Sequence, residues 1–68
     1  MTRSERGALL RGVRQEKKVS IFRLAVKTGL HPNTVMLAEK GAASERSLAR
    51  IAKALGVKAA EFAAGGHP

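Results

Sequence analysis

Thirteen Lys and Arg stand against five Glu in this 68-residue chain, which has no Asp and a formal net charge of +8. Cations in such excess attract phosphate polymers and speed the encounter with them. Other chemistries are poorly supplied. There is no Cys, so disulfides and thiolate metal sites are out of reach. The two His, His31 and His67, are far apart. Neither has a second ligand at helical spacing, so no metal site is expected. No nucleophile stands beside a base and no glycine-rich phosphate loop is present, so neither an enzyme nor a cofactor is expected. Two blander uses of the charge remain. One is a solvated surface that keeps a small protein dispersed. The other is attraction to an anionic membrane, which fits less well because the cations occur in every segment rather than along one long amphipathic helix.

The elements that must position these groups are short. The chain reads as a single domain over residues 1–68, ordered over about 4–64. A chain of this length buries only roughly 60% of its unfolded surface, so its core is small. No apolar run is long enough to span a bilayer. The opening MTRSERGALLRGVR lacks the continuous hydrophobic core of a secretory signal. The expectation is a soluble, cytoplasmic protein with no membrane partner.

Strand signals are absent, and Gly and Pro punctuate stretches of helical periodicity. The fold class is therefore all-α, with five helices. Helix one covers residues 4–17, with Leu9, Leu10 and Val13 as its apolar face. Gly7 and Gly12 weaken it, each by about 1 kcal/mol relative to Ala. Helix two covers residues 21–28 behind Ser20 as its cap, and helix three covers 32–40, ended by Gly41. Helix four follows Ser44 and stops at Gly56, with Leu48, Ile51, Ala52 and Leu55 at core-facing spacing. Helix five covers residues 59–64 and carries Phe62, leaving a flexible tail at 65–68. Three hydrophobic staples agree with three of these starts: Val19 with Leu24, Leu30 with Val35, and Val57 with Phe62. His31 and Lys58 are poor cap residues at two of them.

Helices two and three form one unit over residues 20–41. Ser20 caps the first helix, Leu24 and Ala25 face inward, Gly29 breaks the chain, and Pro32 opens a second helix on which Val35 meets the first. A small residue, a glycine and apolar residues stand where a helix-turn-helix needs them. Such a unit commonly offers its second helix to the major groove of DNA.

Across residues 9–63 the chain resembles the lambda-repressor-like helix-turn-helix domains of the Cro and phage-repressor type, the xenobiotic-response-element family. The marks are Leu-Arg-x-x-Val-Arg in helix one, Ser-x-x-x-Leu-Ala in helix two and Gly-Leu at the turn. They continue with Thr-Val and Glu-Lys-Gly in helix three and Leu-x-x-Ile-Ala-x-Ala-Leu-Gly-Val in helix four. The resemblance implies a compact five-helix fold and DNA binding. It implies an ion pair between Arg14 and Glu39, which suits a bidentate Arg–carboxylate contact; the alternative is two exposed charges that never meet. It places Pro32, Asn33, Met36 and Leu37 toward the bases. Asn33 can bond bidentately to adenine, or else serve only to start its helix. It places Arg46, in the first turn of helix four, on the DNA backbone. Ser20, Lys18, Arg23 and Lys40 join it as candidate phosphate contacts, with Arg11 and Lys27 as further cations.

Two departures from the family stand out. Pro32, Met36 and Leu37 are apolar where polar readers are usual. Ile21 and Phe22 are apolar where Gln and a polar or acidic residue are usual, and Val26 joins them. Phe22 and Val26 either enlarge the local core, the simpler reading, or form a patch for a partner. The resulting reading is a sequence-specific regulator, a repressor acting as a homodimer through Val57, Phe62 and Ala63. The rival is a protein-interaction module of the same fold, antitoxin-like or phage-encoded, using Phe22, Val26, Met36 and Leu37.

Overall fold

A computed structural model describes residues 2–58. Among them the chain forms α1 (Arg3–Glu16), α2 (Ile21–Thr28), α3 (Pro32–Glu39) and α4 (Glu45–Leu55). The described residues contain no strand. The expected fifth helix, with Phe62, Ala63, the Val57–Phe62 staple and the tail, lies outside them.

Local chemistry sets each boundary. α1 starts one residue earlier than its periodicity suggests, because Thr2 caps it. The Thr2 hydroxyl accepts from the Glu5 N–H, and the Thr2 N–H donates to Glu5 Oε1 at 2.6 Å. That reciprocal pair is a capping box. It also holds the Glu5 carboxyl below the ordinary carboxylate range, chiefly through the Thr2 N–H. The helix ends at Glu16, and Lys18 takes a left-handed conformation with φ 56°. Ser20 accepts from the Arg23 N–H at 3.0 Å and so starts α2. Gly29, at φ 73°, ends it in the left-handed region that L side chains avoid. α3 ends at Glu39, one residue short of the expected Lys40.

His31 caps α3 better than its residue type promises. Its Nδ1 accepts from the Asn33 N–H at 3.0 Å. A neutral imidazole carrying its proton on Nε2 supplies the lone pair that Ser or Asp would otherwise give. Pro32 follows at the first helical position, where no N–H is needed.

The core gathers where the helices cross. Leu10, Leu24, Val35, Leu48 and Ile51 are fully buried, joined by Ala25, Ala38, Ala52 and Leu55. Val19 and Leu30, the leading residues of two staples, are half-buried against it, as are Leu9, Val13 and Ile21. Gly7 has a role that helix propensity hides. A Cβ there would stand 2.5 Å from the Ala38 carbonyl oxygen and 2.6 Å from that of Glu39. The missing side chain lets α1 lie directly on the C-terminal end of α3. Gly12 has open space around it and serves no such contact.

Candidate nucleic-acid interface

The placement of α3 begins with its buried side. Val35 and Ala38 are locked in the core, so residues on the opposite side are turned outward by the helical repeat. Asn33, Met36, Leu37 and Lys40 are all exposed. Their spacing of three, four and seven makes them one stripe. Pro32 is half-buried and stands at the edge of that stripe.

An ion pair fixes the height and angle of α3. Arg14 Nε lies 2.5 Å from Glu39 Oε2, and Arg14 Nη2 lies 3.3 Å from Oε1. Arg14 Nη1 also donates to the Val19 carbonyl at 2.9 Å. One guanidinium thus ties the end of α1 to the last residue of α3 and to the residue just before the α2 cap. The side chains are only 12% and 7% exposed, so water screens this pair little.

A second ion pair went unforeseen in the sequence. Arg6, on α1, makes a two-pronged contact with Glu45, the first residue of α4, and Arg3 approaches the same carboxylate at 3.6 Å. The Arg6 hydrogen bonds hold the Glu45 carboxyl below its ordinary value and raise that of Arg6. The partners are 39 positions apart, and nothing local in the sequence signals the pairing. Thr28 was also missed. Its buried hydroxyl donates to the Leu24 and Ala25 carbonyls, while its own carbonyl accepts from Arg50 Nη1 at 3.4 Å. That contact joins the end of α2 to α4.

These pairings shape the surface charge. Glu39 and Glu45 are held by arginines, and Glu5 is held by its cap. Arg11, Lys18, Arg23, Lys27, Lys40 and Arg46 are exposed, and among the described residues none of them is held by an ion pair. Ser20 is exposed at the start of α2, and Arg46 at the start of α4. Arg11 and Lys40 converge with Met36 and Ile21 on a shallow pocket of about 260 Å³, whose wall is the Arg14–Glu39 pair. Among the described residues the molecule therefore presents an outward helix stripe flanked by uncommitted cations, with Glu5, Glu39 and Glu45 held in contacts within the chain.

The structure decides the fate of Phe22 and Val26 against the simpler reading. Phe22 is 72% exposed and Val26 is 82% exposed. Ile21, Leu24, Ala25 and Thr28 fill the inward half of α2. An enlarged local core is ruled out because the helical repeat turns positions 22 and 26 away from that half. Val57 is half-buried against this chain's own core, while Phe62 and Ala63 lie outside the described residues. No group of His and Glu among the described residues is placed to hold a metal ion. None of the described helices is long and apolar enough to cross a membrane.

A buried-faced second helix, a glycine turn and a cationic surround define a helix-turn-helix nucleic-acid-binding domain. Compared with known protein families, residues 10–64 match the Cro/C1-type HTH DNA-binding domain. The chain belongs to that family and is a DNA-binding regulator of this type. No curated protein and no solved structure matches it.

Proposed function

We propose that this protein is a cytoplasmic, sequence-specific transcriptional repressor that binds a two-fold operator as a homodimer, with α3 in the major groove. The observation that carries the reading is the exposed stripe of Asn33, Met36, Leu37 and Lys40 on a helix whose other side is locked in the core. Asn33 reads adenine through its amide. Met36 and Leu37 pack against thymine methyl groups, with Pro32 at the edge of the contact. Arg46, Ser20, Lys18, Arg23 and Lys40 hold phosphates and set the register without reading sequence.

A single domain of this size covers one half-site. Two copies whose recognition helices are about 34 Å apart meet successive faces of the duplex. The segment containing Val57, Phe62 and Ala63 supplies the pairing surface. Repression follows from occupancy, since a bound dimer excludes other proteins from its site.

Selection of bound fragments from random duplex DNA at fixed salt tests the whole reading. The expected product is a two-fold consensus rich in A·T positions. Retention without any consensus would leave a nonspecific binder. A consensus with no symmetry would remove the homodimer.

A further inference from the structure

The outer half of α2 carries two parallel stripes of different chemistry. Phe22 and Val26 are one turn apart and form an apolar ridge, the most exposed large apolar side chains among the described residues. Arg23 and Lys27 are likewise one turn apart, exposed, and form a cationic ridge beside it. α2 has no acidic residue, and the one acid of α3, Glu39, is turned inward to Arg14. The core does not need the apolar ridge, because Leu24, Ala25 and Thr28 already close the inward side. Two large apolar side chains held this far into water gain nothing for the folded monomer.

We propose that this face docks an acidic amphipathic helix of another protein. Apolar side chains of the partner cover Phe22 and Val26, and its carboxylates face Arg23 and Lys27. Charge complementarity selects this occupant. A second copy of α2 pairing across a two-fold axis brings the same cationic ridge against itself and is repelled. Duplex DNA matches the cations but meets the Phe22 ring with charged phosphates. An anionic lipid surface demands a longer apolar face than one eight-residue helix provides. The apolar ridge lies apart from the stripe on α3, while Arg23 also stands among the proposed phosphate contacts, so a bound partner takes one cation from the duplex.

The test uses the full chain, labelled with nitrogen-15, and two designed helical peptides. One peptide carries Leu one turn apart beside Glu one turn apart. The other is identical except that Lys replaces Glu. Saturable shifts at Phe22, Arg23, Val26 and Lys27 with the Glu peptide, and none with the Lys peptide, are expected. Phe22→Ser and Val26→Ser should each weaken the Glu peptide about tenfold or more, with the melting temperature and DNA affinity unchanged. Equal binding of both peptides, or no binding of either, overturns the proposal. Three further outcomes also overturn it and identify the true occupant. Self-association lost in Phe22→Ser points to a second copy. Capture by phosphatidylglycerol vesicles lost in the same variant points to lipid. Loss of DNA affinity in that variant points to the duplex.

Discussion

Arg14 makes three hydrogen bonds, two to Glu39 on α3 and one to Val19 before α2, so its removal leaves more than a missing charge. Glu39 would remain almost buried and unpaired, and the Val19 carbonyl would lose its donor. Arg14→Ala and Glu39→Ala should each cost about 3 kcal/mol, because a buried charge without a partner is expensive. The double variant should cost less than the sum, since neither charge is then stranded. Urea denaturation of the four chains supplies the cycle, and strictly additive losses would mean no coupling. Asn33 and Arg46 separate along a different line. Arg46→Ala should weaken all duplexes alike and reduce the salt slope by roughly one unit, as loss of one phosphate contact does. Asn33→Ala should weaken the selected site by about 1–3 kcal/mol and leave random DNA nearly unchanged. Titrations at several salt concentrations distinguish the two, and an unaltered preference in Asn33→Ala would remove it as a reader.

At the scale of elements, two glycines of one helix should behave oppositely. Gly7→Ala forces a methyl group onto the backbone of α3 and should destabilise by about 1–3 kcal/mol. Gly12→Ala meets open space and should stabilise by about 1 kcal/mol through helix propensity. Thermal melts of the two variants check both signs. The α1–α4 junction carries a pH dependence. Its Glu45 carboxyl is held below the ordinary value of 4.5 by Arg6. A group depressed in the folded state contributes stability that is fully present above its unfolded pKa. That contribution is lost as the pH falls through the folded value. Glu5 acts in the same direction through its Thr2 contacts. Stability should therefore fall on acidification below about pH 4.5. Glu45→Gln should flatten that limb while Glu16→Gln leaves it in place, as read from melts across the acid range.

For the whole molecule, the net charge of +8 and the internal use of Glu5, Glu39 and Glu45 act together. Lys18, Arg23, Lys40 and Arg46 are the cations assigned to phosphates in the proposed complex. Four such contacts predict a slope of log affinity against log salt of roughly −4 per bound chain. Fluorescence anisotropy with a fixed duplex measures it, and a slope near zero would sever the link between surface charge and binding. The same charge distribution makes the partner face of α2 selective for acidic ligands, with Arg23 shared between partner and duplex and α3 left to meet the bases.

Helix periodicity placed α2 within its observed bounds and the other three described helices within a residue or so, because capping and apolar spacing are local properties of the chain. The pairing of Arg14 with Glu39 was legible only through the resemblance to a family, since the residues are 25 positions apart. Arg6 with Glu45 had no such guide and came solely from the crossing of α1 and α4. Gly7 read as a weak helical residue, and only the approach of the α3 backbone gave it a reason. His31 read as a poor cap until its ring nitrogen was found aimed at the Asn33 N–H. Exposure at Phe22 and Val26 likewise needed the fold, because an apolar residue reveals its preference for burial but not whether a neighbour covers it. Sequence by itself determined the four described helices, the cationic character and the family. Tertiary structure alone decided which charges cancel, which glycine admits a neighbour and which apolar side chains stay in water, because each depends on groups brought together across the chain.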